Sequence, residues 1–209
     1  MTPEQTGEAI EKLGIGFMFA PAHHAAMKYA APVRKDLGVR TLFNILGPLT
    51  NPAGAPNQVL GVFHPDLVGI QVRVLQRLGS KHVMTVFGLE GLDEISISGE
   101  TMVGELLNGE IQEYTIHPQQ FGIELYDRRA IQVNTVEESR QMIQAVLENQ
   151  PGPALNIVLL NAGAAIYVAG AADSLQAGID RARRVVAKGE AKQKLDEFVA
   201  FTQRFKPKG

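Results

Sequence analysis

The sequence of 209 residues contains no cysteine. This absence excludes disulfide bonds and thiolate metal sites, and it fits a cytoplasmic location. An excess of charge of one sign is also missing, since 20 lysine and arginine residues stand against 22 aspartate and glutamate residues. The two signs are interspersed, so the chain lacks the positive footprint of a nucleic-acid-binding surface. We therefore expect no nucleic acid among its partners.

Export signals and long apolar runs are missing as well. The N-terminal residues are polar and acidic, unlike a signal peptide with its basic start and apolar core. The longest apolar run, at residues 154–170, is interrupted by Asn156 and Asn161, whereas a membrane helix needs about 20 mostly apolar residues. A buried core helix is the better interpretation of this run, and we expect no membrane partner.

What remains favours an α/β protein. Hydrophobic residues make up 45% of the chain, enough to bury a substantial core. Residues 59–63 and 83–87 are typical of buried strands, and residues 67–78 have an amphipathic helical pattern. This order predicts parallel strands joined by a right-handed crossover. We expect a mainly parallel sheet with flanking helices, a helical lead segment and a small strand-rich excursion.

The composition changes near residue 52. Residues 1–52 are predicted to be a helical segment that contributes to a helical lobe and a binding pocket. Residues 53–209 are predicted to be an incomplete α/β body. Within it, residues 94–118 alternate between apolar and polar or run apolar, and they are punctuated by glycine, which predicts a small, partly antiparallel meander.

Capping signals predict where several helices begin. Thr2 followed by Pro3 has the pattern of an N-cap with proline at the first helical position. Thr135 opens a second capping box, and Asp173 is the expected cap of a third. Gly189 is expected to separate the two last helices.

Residues 23–52, HHAAMKYAAPVRKDLGVRTLFNILGPLTNP, predict a helix carrying Arg34, a tight turn, a second short helix and a proline-stiffened loop. Gly47 and Pro48 form a turn dipeptide that fixes a backbone corner. A guanidinium near a rigid apolar loop suits a small planar carboxylate, because its fork can bind both oxygens. The alternative is a helical hairpin with a surface arginine.

A second candidate site follows the strand predicted at residues 83–87. The strand ends at Gly88, and a glycine-punctuated loop then presents Asp93 and Glu94 side by side. Open α/β sheets bind ligands beyond the carboxyl ends of their strands. Two carboxylates there could hold Mg²⁺, which commonly takes one or two carboxylates plus phosphate oxygens of a substrate. The alternative is a solvated loop pair with no ligand.

Taken together, these stretches resemble the anthranilate phosphoribosyltransferases, tryptophan-pathway members of a structural class that includes pyrimidine nucleoside phosphorylases. The match is carried by residues 23–52, by NQVLGVFHPDL at residues 57–67 and by GLEGLDEIS at residues 88–96. It continues through LNAGAAIYVAG at residues 160–170 to the C-terminal helices, so it covers essentially the whole chain. The order and separation of these motifs make the match specific.

The resemblance implies transfer of a phosphoribosyl group from phosphoribosyl pyrophosphate to the amine of anthranilate, with release of pyrophosphate. It assigns Asp93 and Glu94 to the coordination of magnesium (Mg²⁺), the expected cofactor. It assigns Arg34 to the carboxylate of anthranilate and places Gly47 and Pro48 in the wall of that pocket.

Two further expectations come from the resemblance. One of the adjacent histidines lines the aromatic pocket, and we assign His24 to this role, with His23 as a cap or surface residue. Complete family members are homodimers, so a homodimer is expected of the complete enzyme. No residue is given a catalytic role, because an aromatic amine is neutral and nucleophilic at pH 7 and needs no strong base.

The sequence departs from the family in lacking a glycine-rich G-T-G-G-D phosphate loop and a K-H-G-N segment. We therefore expect the chain to be the C-terminal portion of such an enzyme, with little activity by itself. Two other functions stay open. One is a nucleoside phosphorylase-like enzyme of the same fold, acting with phosphate and a nucleobase. The other is a non-catalytic ligand-binding or interaction module.

Overall fold

The structure, a computed structural model, describes residues 1–19, 23 and 43–205. The chain forms two compact units, one of Met1–Gly54 with Glu190–Gly209 and the other of Ala55–Gly189. The sequence-based division assigned residues 190–209 to the α/β body, whereas here they group with the helical segment. The division of the complete protein into domains stays a prediction.

The described elements follow one another in this order. They are α1 (Pro3–Leu13), α2 (Phe43–Leu46), a 3-10 turn (Gly47–Thr50), β1 (Asn57–Gly61), α3 (Asp66–Arg77), β2 (His82–Gly88), β3 (Thr101–Leu107), β4 (Glu110–Ile116), two further 3-10 turns (Pro118–Phe121 and Arg128–Ile131), α4 (Val136–Leu147), α5 (Pro153–Val168), α6 (Leu175–Ala187) and α7 (Glu190–Gln203). Within these described elements, no helix is long and apolar enough to cross a membrane.

In the first unit, the N-terminal helix begins as its sequence predicts. The Thr2 hydroxyl accepts a hydrogen bond from the Gln5 amide at 3.3 Å, and the Gln5 side chain accepts one from the Thr2 amide at 2.8 Å. The helix ends at Gly14, whose φ of 74° is the left-handed conformation that favours glycine. The C-terminal helix α7 packs against α1, which explains why the two ends of the chain share one unit.

The second unit contains a four-stranded sheet in the order β1-β2-β3-β4. β1 and β2 are parallel and are joined by α3, as predicted. β3 pairs with β2 and β4 with β3, both antiparallel. The α/β class is therefore confirmed, but the sheet is mixed rather than mainly parallel. The difference arises because the predicted excursion adds its two strands to the edge of β2.

Two strand predictions differ from the structure. The first strand begins and ends earlier than predicted, at Asn57–Gly61 instead of residues 59–63. Residues 94–100, expected to open the meander, form a loop although Ile95 and Ile97 are buried. Side chains and other loops bond to the backbone of this loop. For example, the Tyr126 amide donates to the Ile97 carbonyl at 3.0 Å.

The core lies between the sheet and α5. Its buried side chains come from one face of the sheet, from the loop after β2 and from the last helices: Met84, Val86, Ile95, Ile97, Val103, Ile116, Ile123, Ile157, Leu160, Ala164, Val168 and Ile179. The apolar run at residues 154–170 is thus a core helix, as predicted. The opposite face of the sheet packs against α3, where Gly104 lies close to Val68 and Val72.

Helices α5 and α6 approach each other with their backbones almost in contact. A Cβ atom added at Gly178 would lie 2.2 Å from the carbonyl oxygen of Gly163. One added at Gly163 would lie 2.4 Å from Cγ1 of Ile179. The two glycines thus allow the close packing of α5 and α6.

The later helix starts follow the capping prediction with one change. Thr135 caps α4, since its hydroxyl accepts from the Glu138 amide at 3.1 Å. The cap of α6 is Ser174 rather than Asp173, because the Ser174 hydroxyl accepts from the Ala177 amide at 3.2 Å. Gly189, with a φ of 73°, separates α6 from α7 as expected.

Candidate functional site

The loop after β2 carries the acidic pair. At Gly88 the strand ends in a tight turn, in which the Gly88 amide donates to the Leu92 carbonyl at 2.8 Å. Gly91 takes a φ of 93° there, a conformation that side chains rarely adopt. The turn brings Asp93 and Glu94, one after the other, to the carboxyl end of the strand. This is the position predicted from the sequence.

The same loop also crosses the end of β1. A Cβ atom added at Gly61, the last residue of β1, would lie 1.6 Å from the backbone oxygen of Asp93. Only a residue without a side chain allows the loop backbone to come this close. The acidic pair therefore lies at the carboxyl ends of two neighbouring parallel strands, β1 and β2.

Helix α5 holds the loop from the other side. The Asn161 side chain accepts a hydrogen bond from the Ile95 amide at 2.9 Å and donates to the Ile95 carbonyl at 3.0 Å. Ile95 directly follows Glu94. Both backbone groups of this buried residue are thus paired with one side-chain amide, as a neighbouring strand would pair them.

The start of the loop has its own supports. The Arg128 guanidinium donates to the Glu90 carbonyl at 2.9 Å, and the Ser96 hydroxyl donates to the Glu90 carboxylate. Glu90 and Arg128, with Ser98 and Arg129, line an open cleft of about 500 Å³ beside the loop. The loop is therefore held at both ends and at its middle, while the acidic side chains are exposed.

The charges of the acidic pair are not neutralised by the part of the chain that the structure describes. Neither Asp93 nor Glu94 forms an ion pair or a side-chain hydrogen bond with a residue in that part. The pKa of Glu94 is raised, first because neighbouring atoms partly desolvate its carboxyl group and second because of the charge of Asp93. A divalent cation would relieve this repulsion.

The donor set fits Mg²⁺ bound partly by a substrate. Among residues 1–19, 23 and 43–205, no three His, Cys, Asp or Glu side chains come together as a complete metal site. Two adjacent exposed carboxylates are nevertheless a common protein contribution to a magnesium ion that keeps waters or phosphate oxygens as its other ligands. Asp93 and Glu94 could hold such an ion.

Of the residues predicted to form the carboxylate pocket, the structure describes Gly47 and Pro48. Arg34 and His24 lie outside the described residues, so their roles stay predictions. Gly47 and Pro48 begin the 3-10 turn after α2, and both are half-buried. The Thr50 hydroxyl donates to the Gly47 carbonyl at 3.2 Å, which holds this corner in place.

Two supports of the loop were missed by sequence reasoning. Asn161 was noted only as an interruption of the apolar run, and Arg128 was not singled out. A signal for Asn161 was present, because a polar residue interrupts an apolar helix only at a cost unless it is hydrogen-bonded. Arg128 has no comparable signal in the sequence.

A match to one protein family extends over most of the chain. Residues 1–192 match the glycosyl transferase family, a/b domain. This chain belongs to that family. Anthranilate phosphoribosyltransferase from Leptothrix cholodnii is 63% identical over 206 residues, and the enzyme of the same name from Methylibium petroleiphilum is 60% identical over 206 residues. Each match covers 99% of this chain but 60% of the relative. The chain thus spans about three-fifths of the length of these glycosyl transferase relatives.

Solved structures give the same result for the fold. The crystal structure of anthranilate phosphoribosyltransferase from Thermus thermophilus aligns with a TM-score of 0.89 at 44% identity, covering 97% of this chain and 60% of that one. The Saccharomyces cerevisiae enzyme in complex with phosphoribosyl pyrophosphate and Mg aligns with a TM-score of 0.89 at 24% identity, covering 98% and 59%. The fold is therefore that of this glycosyl transferase family, including distant relatives.

Proposed function

We propose that this chain supplies the α/β part of an enzyme that transfers the phosphoribosyl group of phosphoribosyl pyrophosphate to anthranilate in tryptophan biosynthesis. The observation that carries the proposal is the pair Asp93 and Glu94, unneutralised by any described residue and fixed at the carboxyl ends of two parallel strands. The names of the similar bacterial enzymes support the same substrates.

Asp93 and Glu94 would hold Mg²⁺ in this enzyme. When bound, the ion would neutralise the negative charge that grows on pyrophosphate as it leaves. The chain's own contribution is to keep two carboxylates adjacent and open to the substrate. The rigid loop means that little reorganisation is needed when the substrate arrives.

The reaction breaks the bond between the ribose C1 and a pyrophosphate oxygen, which leaves with the bonding electrons. The anthranilate nitrogen forms the new bond to C1 and releases a proton to solvent. Because the amine is already neutral at pH 7, positioning and electrostatic stabilisation are sufficient for catalysis. In this scheme Arg34 binds the carboxylate of anthranilate. Gly47 and Pro48 form the wall of the anthranilate pocket, and His24 lines that pocket beside the aromatic ring.

The direct test uses this chain joined to the part of the Leptothrix cholodnii enzyme that it does not match, hereafter the joined enzyme. Loss of anthranilate fluorescence is followed with phosphoribosyl pyrophosphate and Mg²⁺ present. We expect turnover by the joined enzyme and none by the added part alone. A folded joined enzyme that leaves anthranilate unchanged, or that cleaves nucleosides with phosphate instead, would contradict the proposal.

The assembly and location of the complete protein are also proposals. We propose a homodimer, as the family resemblance implies, and a cytoplasmic location, where tryptophan precursors are made in the expected pathway. Sedimentation of the joined enzyme tests the first, since a mass of a single subunit at micromolar concentration would contradict it. Cell fractionation tests the second.

A further inference from the structure

We propose that Asn161 is a positioning residue for the acidic pair, holding the loop so that Asp93 and Glu94 meet one divalent cation together. This inference rests on the proposed function, because it names the residue that makes the magnesium site rigid. Asn161 touches neither the cation nor the substrate in this account. It acts through the backbone of Ile95, the residue that follows Glu94.

Both the oxygen and the nitrogen of the Asn161 side-chain amide form hydrogen bonds. Its oxygen accepts from the Ile95 amide at 2.9 Å, while its nitrogen donates to the Ile95 carbonyl at 3.0 Å and to the Ile157 carbonyl at 2.9 Å. The third bond ties the side chain to its own helix, one turn earlier. The rotation of the amide group is thereby fixed, because the reversed orientation would set oxygen against two carbonyls.

The helix that carries Asn161 is itself firmly placed. Leu160, next to it, is completely buried in the core. Two residues beyond it, Gly163 packs against α6 with no room for a side chain. The hydrogen bonds to Ile95 therefore start from a rigid part of the unit, and a displacement of the loop cannot be absorbed by a shift of the helix.

The acidic pair lies between two fixed points of the backbone. On one side, the Asp93 carbonyl rests against Gly61 at the end of β1. On the other side, both backbone groups of Ile95 are bonded to Asn161. Along the chain, Glu94 is the only residue between these two points. Fixing both sides limits how far the two carboxylates can separate.

The packing of α5 against its neighbours would not by itself require an amide at this position. Helix packing alone is satisfied by an apolar side chain of similar size, and a half-buried amide without partners costs free energy. The three hydrogen bonds offset that cost, and two of them serve the loop rather than the helix. Residues that orient metal ligands through hydrogen bonds are known to change the affinity for the metal without touching it.

The test uses the 209-residue chain, labelled with ¹⁵N, and Mn²⁺ as a paramagnetic probe of the cation site. In the unmodified chain, we expect Mn²⁺ to broaden the amide signals of residues 92–95 selectively. Asp93→Asn combined with Glu94→Gln should remove this broadening. Asn161→Leu should require about 10- to 100-fold more Mn²⁺ for the same broadening. This is the usual loss of metal affinity when a residue that supports a metal ligand is removed.

Val168→Ala is the matched control. Val168 is buried in the same helix and belongs to the core, so its truncation lowers stability without removing a hydrogen bond between α5 and the loop. We expect it to leave the Mn²⁺ titration unchanged. An Asn161→Leu titration that superimposes on that of the unmodified chain would overturn the inference while leaving the metal site intact. Equal weakening by Val168→Ala would also overturn it, because general destabilisation would then explain the loss.

Two other outcomes are distinguishable. If Asn161→Leu does not fold, Asn161→Asp keeps the size and the acceptor but loses both donors. Weaker Mn²⁺ binding by this variant, despite its added negative charge, supports the inference, and unchanged binding overturns it. If the unmodified chain shows no selective broadening, the magnesium assignment in the proposed function fails, and the positioning role of Asn161 fails with it.

Discussion

The backbone oxygen of Asp93 lies so close to Gly61 that a Cβ atom on the glycine would come within 1.6 Å of it. The φ of Gly61 is not positive, so the position requires glycine for space rather than for its backbone conformation. Strand β1 and the acidic loop are therefore in contact through their backbones. The location of the candidate magnesium site depends on the absence of one side chain.

Gly61→Ala should lower the free energy of unfolding by about 1–3 kcal/mol or more, because the strand and the loop must move apart to admit the methyl group. Urea denaturation of the 209-residue chain measures this loss. Gly99→Ala is the control, since a Cβ atom at Gly99 meets nothing within 4 Å. Equal stability of the two variants would show that the contact between Gly61 and Asp93 is not as close as described.

A buried network at the other end of the sheet predicts a dependence on high pH. The Tyr114 hydroxyl donates to the Glu105 carboxylate at 2.7 Å, and His82 Nε2 lies 3.0 Å from its other oxygen. The pKa of Tyr114 is raised well above its usual value, first by burial and then by the hydrogen bond to Glu105. The folded chain thus keeps this phenol protonated after the unfolded chain has lost its proton.

The raised pKa of Tyr114 makes the folded chain less stable at high pH. The stabilising contribution of Tyr114 is complete below the unfolded pKa of about 10 and is lost as the pH rises above it. The Tyr114 contribution should therefore leave urea midpoints level up to about pH 10 and lower them above it, and Tyr114→Phe should reduce the steepness of that fall. At neutral pH the same variant should be less stable by about 1.5–3 kcal/mol, the value of a hydrogen bond to a charged group. An unchanged pH profile would contradict this explanation.

Arg34 is tested in the joined enzyme. Arg34→Ala should raise the Michaelis constant for anthranilate about tenfold or more, and the constant for phosphoribosyl pyrophosphate much less, because the lost bonds are to the carboxylate. Arg34→Lys should recover only part of the loss, since an ammonium cannot form the bidentate fork. Arg183→Ala, on the exposed side of α6, is the control. An effect of Arg34→Ala on the phosphoribosyl pyrophosphate constant alone would reject the assignment.

Local signals in the sequence predicted much of the second unit. The apolar periodicity identified β1, α3 and β2, and a right-handed crossover then required β1 and β2 to be parallel. With the pair parallel, the loop after β2 could be placed at the carboxyl ends of both strands. The position of Asp93 and Glu94 was therefore predictable from short-range patterns.

Contacts between distant residues were not predictable in this way. Asn161 and Ile95 are 66 residues apart, and no periodicity links them. Their hydrogen bonds pair the backbone of Ile95 with a side chain instead of a neighbouring strand, which the apolar pattern of residues 94–100 does not reveal. Where two adjacent residues could both cap a helix, as Asp173 and Ser174 could, the backbone conformation selected Ser174.

The most direct test of the account is the magnesium dependence of the joined enzyme. Asp93→Asn combined with Glu94→Gln keeps the shape of both side chains but removes the charges that a hard cation needs. We expect the Mg²⁺ concentration for half-maximal consumption of anthranilate to rise by at least about tenfold. Glu110→Gln, at the exposed start of β4, should leave it unchanged. A double variant whose magnesium titration matches that of the unmodified joined enzyme would contradict the account.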